Sequence, residues 1–389
     1  MFAAFSISAF AAGLLAGFVG FASSFAVIIQ GLVAVGASPA QAASGLMAVS
    51  IAMGLCAVIV SLRLKMPVSI AWTTPGAALL AASGAATGGD FAAATGAFLI
   101  CGLLIFIAGL WQTLGRWVAA IPAPLANAML AGVLLPLCLA PVKAVAADPL
   151  LGLPIVVSWA LMARWKRLWA VPVAVLVAVV LIIVATPPIQ LDPATLWPNP
   201  QFVMPRFTPE AMIGVALPLF IVTMASQNIP GITVLRVNGY QPDPNPLFRA
   251  TGLFSMAAAP FGAVSVNLAA ITAAICAGPE AHPDPARRYW AATVAGLFYI
   301  LIGLGAAAAT AFLIAAPPLL IQAVAGLALL GAFGNSLMGA VAEPRDREAA
   351  VITFLVAASG VSFLGIGGAF WGLLAGGAVM ALTRWRGIG

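Results

Sequence analysis

No Asp, Glu, Lys or Arg occurs in the first 62 residues of this chain. Across its 389 residues, 63% are hydrophobic and only 7% are charged. A soluble domain carries about a quarter charged residues, so the chain is predicted to be an all-α polytopic protein of the lipid bilayer. The basic residues behind the net charge of +6 are spread over many loops. That spread favours a role in membrane topology and argues against a nucleic-acid partner.

Charged and turn-forming residues divide the chain into about fourteen apolar segments. Most are close to the ~20 residues that a helix needs to cross a bilayer. In chain order the predicted segments are 5–34, 39–62, 67–85, 91–112, 117–140, 149–164, 169–186, 210–235, 246–260, 262–278, 287–312, 317–341, 346–361 and 364–383. The last two are separated only by a predicted turn at Ser362–Gly368.

The basic residues predict how these segments are oriented, because cytoplasmic loops are enriched in Lys and Arg. With the N-terminus inside and strict alternation, every basic residue except Lys143 and Arg206 falls on the cytoplasmic side. A wrong segment count would scramble this pattern. The pattern therefore favours fourteen spans with both termini in the cytoplasm.

The sequence contains a weak internal repeat. Three pairs of short motifs match at offsets of 207, 208 and 203: Ala43–Met47 with Ala250–Phe254, Asn127–Val133 with Asn335–Val341, and Ala22–Ser23 with Ala225–Ser226. The offset carries segment 1 onto segment 8, and since seven is odd the second half is predicted to run inverted. We expect two inverted repeats, 1–186 and 210–389, joined by a periplasmic loop at 187–209. Such repeats are typical of secondary transporters.

The apolar stretch Ser69–Gly84 cannot form one continuous spanning helix. Strand-forming residues up to Trp72 are followed by Thr73-Thr74-Pro75-Gly76, and helix formers continue from Ala77. Thr74 before Pro75 predicts an N-cap and a helix start inside the bilayer. Such a start directs unpaired N–H groups and the positive end of the helix dipole at the interior. We therefore expect residues 73–76 to form half of an anion-binding site.

The repeat predicts a partner for this stretch in segment 10. There, within Pro260–Ile271, Gly and β-branched residues precede a small polar cap, Ser265 or Asn267, and a helix-forming run follows. Segments 3 and 10 are therefore each predicted to be a short strand followed by a half-helix. Two helix starts would then face one cavity, which is a favourable place for a carboxylate.

Acidic residues are confined to predicted loops and segment ends. This position argues against a pump built on buried carboxylates and against a metal site. His282, the only histidine, falls in a polar, Pro-rich loop, so a hydrolase would lack its base. We expect no enzyme activity, no cofactor and no bound metal.

Neutral polar residues remain in the predicted membrane interior. They are Ser23, Ser24 and Gln30 in segment 1, Thr73 and Thr74 in segment 3, Ser226, Gln227 and Asn228 in segment 8, Ser265 and Asn267 in segment 10, and the repeat mates Asn127 and Asn335. Bridging between helices is the better explanation for a lone Ser or Thr. A binding site is favoured for Thr73, Thr74 and Asn267, and for Gln227 and Asn228 the two explanations are balanced.

Aromatic residues occur beside these polar positions. Phe18, Phe21 and Phe25 recur at helical spacing and predict one aromatic helix face, while Trp72 and Phe261 lie near the two predicted helix starts. Packing explains any one of them, but a flat apolar substrate would also need such walls.

Four motifs resemble the benzoate/proton symporter family. They are Gly20–Val27, Gly36–Met47, Met66–Ala77 and Gln227–Gly231, and the resemblance runs over essentially the whole chain. It implies a bacterial inner-membrane carrier that imports benzoate with protons. It also implies the fold of the uracil permease and anion-exchanger relatives. In that fold, segments 1–4 and 8–11 form a core domain, segments 5–7 and 12–14 form a gate domain, and substrate lies between broken segments 3 and 10.

The resemblance suggests roles for the polar and aromatic residues. Thr73, Thr74, Ser265 and Asn267 would hold the carboxylate, with Ser23, Ser24, Gln227 and Asn228 alongside. Phe25, Trp72 or Phe261 would hold the ring, and Asn127 and Asn335 would lie on the gate side.

One departure from the wider fold concerns charge. Its nucleobase carriers use glutamates in segments 8 and 10, where this chain has amides and a serine. An anionic substrate suits this difference, since a carboxylate would repel it. The group that carries the coupled proton is not identified, and benzoate itself could fill that role.

Three alternative functions also stay open: a carrier of this fold for a nucleobase or another small anion, a passive anion channel, and a membrane scaffold. A second copy of the chain, in a homodimer, is also left open as a partner.

Overall fold

The computed structural model describes residues 6–111, 122–185, 197–269, 271–364 and 366–386. In the first half of the chain the elements are α1 (Ile7–Ala22), α2 (Phe25–Ala34), α3 (Pro39–Leu64), β1 (Ile70–Trp72), α4 (Thr74–Ala81), α5 (Gly84–Thr87), α6 (Phe91–Leu110), α7 (Ala123–Cys138), α8 (Ala140–Ala147), α9 (Pro149–Trp165) and α10 (Ala170–Ala185). In the second half they are α11 (Pro209–Val237), α12 (Pro244–Ala258), β2 (Val266–Leu268), α13 (Ile271–Ala277), α14 (Tyr289–Leu304), α15 (Ala306–Ala315), α16 (Pro318–Val341), α17 (Arg347–Ala358), β3 (Ser362–Phe363), β4 (Ile366–Gly367) and α18 (Gly368–Arg386).

Aspartates begin three of these helices. Asp90, Asp148 and Asp243 precede α6, α9 and α12, and each carboxylate accepts a hydrogen bond from a backbone N–H of the first turn. A negative side chain there also opposes the positive end of the helix dipole. Capping thus explains why several acidic residues of so apolar a chain lie at helix ends.

Seven helices in the described ranges are long and apolar enough to cross a membrane. They are Ile7–Ala34, Pro39–Leu64, Phe91–Leu110, Ala123–Ala147, Arg167–Val184, Pro209–Val237 and Pro318–Val341. The helices Pro285–Leu304 and Ala306–Ala315 meet at a bend of 58°. If this bent pair counts as one span, it is the eighth. The chain is therefore a mostly helical membrane protein, and the count of fourteen stays a prediction.

Elements from the two halves pack against one another. Helix α3 lies along α14, and α6 lies along α12. Helix α7 packs against both α16 and α17, and strand β1 pairs with β2. These neighbours are far apart in the sequence, so the two halves of the chain share one hydrophobic core. The predicted turn after segment 13 is the small ribbon β3–β4.

Helix α11 contains two π-helical turns. They span Met212–Ala216 and Met224–Asn228, and a proline stands two residues after each, at Pro218 and Pro230. Proline has no N–H to donate to the carbonyl four residues earlier, so each proline releases a bond inside the preceding turn. This release accounts for the widening of the helix at both places.

The segment Trp197–Thr208 ties the ends of three helices together. Its backbone N–H groups donate to the Ser44 side chain at the start of α3, to the Pro260 carbonyl after α12 and to the Ala92 carbonyl at the start of α6. Arg206 also forms an ion pair with Asp90. The first part of the predicted connecting loop, 187–196, lies outside the described residues.

Candidate binding site

The centre of the fold is the antiparallel ribbon of β1 and β2. Ile70 pairs with Leu268, Ala71 with Asn267, and Trp72 with Val266. Bonds from Thr73 N to Ser265 O and from Ala269 N to Ser69 O extend the ladder at both ends. Alternation along a strand puts Ser69, Thr73, Ser265 and Asn267 on one face, and Trp72 with its apolar neighbours on the other. A buried ribbon with one polar face thus crosses the core.

The start of α4 corrects the predicted cap. Thr73, and not Thr74, is the N-cap, because its Oγ1 accepts from Gly76 N at 3.1 Å. Helix α4 begins at Thr74, with Pro75 in its first turn as predicted. A Cβ on Gly76 would lie 2.7 Å from Thr73 Oγ1 and would strike Leu219 on α11, so a larger residue there would force these side chains to shift.

A hydroxyl cluster joins α11 to the ribbon. Thr223 Oγ1 donates to Thr73 Oγ1 at 3.1 Å and lies 3.2 Å from Ser265 Oγ. All three side chains are buried, and Cys101 on α6 lies beside Ser265. Sequence analysis missed Thr223, since a single threonine in an apolar helix gives no signal of its own. Its position three residues before Ser226, the repeat mate of Ser23, was the one available hint.

The backbone N–H groups on the outer edge of β2 donate hydrogen bonds to side chains of α11 and α12. Asn228 Oδ1 accepts from Leu268 N at 2.9 Å, and Ser255 Oγ accepts from Val266 N at 2.8 Å. Asn228 is fully buried, while Gln227 beside it is half-buried. Asn228 therefore links α11 to the backbone of β2. Of the two explanations left open by the sequence, bridging and a binding site, this contact is the bridging one.

Segment 10 differs from its prediction. Ser265 precedes β2 and Asn267 lies within it, and α13 begins only at Ile271, so neither residue caps that helix. The Asn267 amide Nδ2 donates to Leu268 O at 2.8 Å. Its Oδ1 is buried and has no hydrogen-bond partner among the described residues.

Three aromatic rings cluster beside β1. The Phe21 and Phe25 rings are stacked with centroids 5.3 Å apart, and Phe21 also packs 5.3 Å from Trp72. Trp72 Nε1 donates to Ser24 Oγ at 2.8 Å. Phe25 is the half-buried member, so it is the ring of this cluster open to a ligand.

The structure separates two of the predicted aromatic residues from this cluster. Phe18 packs against Trp169. The interruption at Ser23–Ser24, between α1 and α2, lies after Phe21 and alters the helical spacing of Phe25 alone. Both serine hydroxyls donate to Gly20 O there. Phe261 packs against Phe202 of the connecting segment, so the structure does not bring it together with Trp72.

The two repeat-mate asparagines differ in their surroundings. Asn127 is half-buried against Gly339 of α16, and Asn335 is exposed. Asn127 also lines a small cleft of about 20 Å³ between α7 and α11, with Ser226 on the opposite wall. The structure therefore places Asn127 beside α11.

A second polar cluster lies at the other end of the ribbon. Ser69 Oγ and Thr272 Oγ1 are 2.7 Å apart, and Tyr299 OH donates to Ala16 O at 3.4 Å. Cys276 lies beside Ser69. The first contact joins α13 to the ribbon, and the second joins α14 to α1. Neither was predicted from the sequence. No group of three or more His, Cys, Asp or Glu side chains in the described ranges could hold a metal ion.

Solved structures share this fold. The transmembrane domain of the cyanobacterial bicarbonate transporter BicA superposes with a TM-score of 0.58 at 15% identity, over 97% of this chain and 96% of that one. Murine Solute Carrier 26 family member A9, an anion transporter in its inward-facing state, superposes with a TM-score of 0.61 at 13% identity, over 97% and 68% of the two chains. The chain thus shares its fold with these two proteins.

The chain belongs to the benzoate membrane transport protein family, whose sequence profile matches residues 3–382. It is 42% identical over 366 residues to the inner membrane protein YdcO of Escherichia coli K12, covering 94% of this chain and 93% of that protein. It is 32% identical over 375 residues to the benzoate membrane transport protein of Acinetobacter baylyi, covering 95% and 94%. This is a family of transporters and not of enzymes.

Proposed function

We propose that the protein is a secondary active transporter that imports benzoate or a related aromatic carboxylate across the inner membrane together with protons. The observation that carries this function is the buried, uncharged polar face of the β1–β2 ribbon beside the aromatic cluster, in a chain of the benzoate transport family. Neutral donors and acceptors tolerate a substrate carboxyl group that a buried glutamate would repel.

The proposed architecture has fourteen spans in two inverted repeats, 1–186 and 210–389, joined by the periplasmic loop 187–209. Helix packing supports it. In the repeat, α3 corresponds to α12, and α6 corresponds to α14. The α3–α14 contact therefore has a repeat-related equivalent, the α12–α6 contact. The α7–α16 and β1–β2 contacts each join an element to its own repeat mate. Both termini then lie in the cytoplasm.

Segments 1–4 and 8–11 form the proposed core domain, and segments 5–7 and 12–14 form the gate domain. Helices α2 and α4 of the core touch α16 and α7 of the gate. The cleft between Asn127 and Ser226 marks part of this boundary. Movement of core against gate would expose the ribbon to each side of the membrane in turn.

The proposed site uses the polar ribbon face for the carboxyl group and Phe25 for the ring. Thr73, Thr74, Ser265 and Asn267 supply polar atoms, while Ser23, Ser24, Gln227 and Asn228 support them. The ring would reach past the outer edge of β1 to Phe25, with Phe21 and Trp72 packed behind it. Each protomer holds a complete site, so a homodimer would transport through each protomer separately.

Uptake of labelled benzoate into proteoliposomes, with and without an inward proton gradient, tests this function. We expect saturable uptake that the gradient drives above equilibrium and that ring analogues compete with. Uptake that never exceeds equilibrium would indicate a passive channel, and uptake of a nucleobase or an inorganic anion in place of benzoate would indicate another substrate.

A further inference from the structure

We infer that Asn267 Oδ1 accepts a hydrogen bond from the carboxyl O–H of the undissociated aromatic acid. The substrate itself then carries the coupled proton. This assignment rests on the proposed function. It names the protonation state in which the substrate binds and the atom that recognises it.

The Asn267 amide is fixed in one orientation. Its Nδ2 donates to Leu268 O at 2.8 Å, and exchanging the two amide atoms would put two acceptors against each other. The side chain is 0% exposed, and Oδ1 has no hydrogen-bond partner among the described residues. Buried carbonyl oxygens are normally paired, so a donor is expected to reach this atom.

The ribbon is open where Asn267 lies. Ala71, its register partner, is half-buried, whereas the other five residues of the two strands are buried. Paired residues of an antiparallel ribbon project to the same face, and the alanine methyl group leaves space beside the amide. A small polar group that enters at Ala71 therefore meets Asn267 Oδ1.

At the start of α4, Thr74 alone leaves an anion free donors, since its N–H and hydroxyl bond to none of the described residues. Pro75 has no N–H, Gly76 N donates to Thr73 Oγ1, and Ala77 N donates to Thr73 O at 2.8 Å. The Thr73, Thr223 and Ser265 hydroxyls are bonded to one another. A carboxylate accepts hydrogen bonds only, whereas a carboxylic acid donates one and can use the Asn267 acceptor.

Charged side chains do not face Asn267 from the elements packed against β2, which are β1, α3, α11 and α12. The ionised residues on those elements are exposed: Arg63, Glu210, Arg236 and Arg249. The buried titratable groups nearby are thiols and a phenol, namely Cys56 on α3, Cys101 beside Ser265, Cys276 beside Ser69, and Tyr299. Thiols and phenols are ordinarily neutral near pH 7 and do not exchange a proton with each turnover.

The proton balance is simple. One proton joins the carboxylate outside to give the neutral acid, whose O–H donates to Asn267 Oδ1. After the core has moved, the acid leaves and dissociates in the cytoplasm into carboxylate and one proton. Each transport cycle therefore carries one proton per substrate and no net charge.

Competition on the unmodified protein tests this assignment. Benzamide is a neutral mimic of the acid, with a donor and an acceptor, and benzenesulfonate is an anion at every working pH. We expect benzamide to compete with labelled benzoate and benzenesulfonate to fail. We also expect the apparent Kd for benzoate to rise about tenfold per pH unit between about pH 5.5 and 7.5, because the fraction of acid falls tenfold. A flat pH profile with competition by benzenesulfonate would overturn the inference.

Variants extend the test. Asn267→Leu removes the acceptor, and we expect at least about tenfold weaker benzoate binding at low pH and loss of benzamide competition. Ser255→Ala is the matched control, because it removes a bond to the same strand and should keep the pH slope. If Asn267→Leu fails to fold, the competition result on the unmodified protein decides. Absence of benzoate binding at any pH would instead contradict the proposed function.

Discussion

Thr223 on α11 donates a hydrogen bond to Thr73, the residue that caps α4, across 3.1 Å. The same hydroxyl lies 3.2 Å from Ser265, which leads into β2. One side chain thus joins the start of α4 to the start of β2. Any movement that separates β1 from β2 must break this cluster, so Thr223 couples their positions.

Thr223→Val keeps the shape of the side chain and removes its hydroxyl. We expect the free energy of unfolding to fall by about 1–2 kcal/mol, because two buried hydrogen bonds are lost. Thermal unfolding in detergent and benzoate uptake measure the effect. Thr233→Val on the same helix is the control, since Thr233 is exposed and donates only to Ile229 O. Equal effects of the two substitutions would contradict the role given to Thr223.

Trp72→Phe and Ser24→Ala each remove one end of the 2.8 Å bond between α2 and β1. We expect the two effects on unfolding to be non-additive by about 1 kcal/mol, which is the worth of one buried hydrogen bond. A double-mutant cycle on the thermal midpoint measures it. Strict additivity would mean that Trp72 acts through ring packing with Phe21 alone.

Gly31→Ala places a methyl group against the carbonyl oxygen of Ala77, where α2 crosses α4. We expect lower stability by at least about 1 kcal/mol and impaired uptake, because helix α4 would have to shift. Gly377→Ala on α18 provides the comparison, since an added Cβ there meets nothing within 4 Å and alanine favours a helix. Wild-type transport in Gly31→Ala would show that the α2–α4 contact is not critical.

Single cysteines test the predicted topology. All four native cysteines are buried, so they should react little with a membrane-impermeant maleimide. In intact cells we expect labelling of Trp197→Cys, which lies before α11, and none of Glu280→Cys, which follows α13. Glu280→Cys should react once the membrane is permeabilised. The reverse pattern would exclude fourteen spans with an internal N-terminus.

The sequence was sufficient for the apolar helices and for the change from strand to helix at β1 and α4. Long hydrophobic runs and a Thr-Thr-Pro-Gly sequence are strong local signals, and Pro39–Leu64 and Phe91–Leu110 lie close to predicted segments. The position of the cap was missed by one residue, because adjacent threonines offer the same hydroxyl. Only the backbone conformation decides which of them faces Gly76.

Contacts across the ribbon were harder to predict. Thr223 and Ser255 act on partners from other segments, and a hydroxyl in an apolar helix most often bonds within its own helix. The helix start in segment 10 was placed too early, since Val266–Leu268 forms a strand only by pairing with β1. Phe261 was expected near the helix start of segment 10 because of its place in the sequence, whereas its ring packs on Phe202.

The widened turns of α11 mark where this helix tolerates a change of length. A π turn holds one residue more than an α turn, so deleting one residue between Met224 and Asn228 would let the helix continue regularly. The faces before and after the deletion would keep their relative orientation, because the π turn had already absorbed the extra residue. A deletion in the α-helical stretch Leu217–Thr223 would instead rotate the two parts of α11 by about 100° relative to each other. A single-residue deletion is therefore easier to accommodate inside a π turn of α11 than between the two π turns.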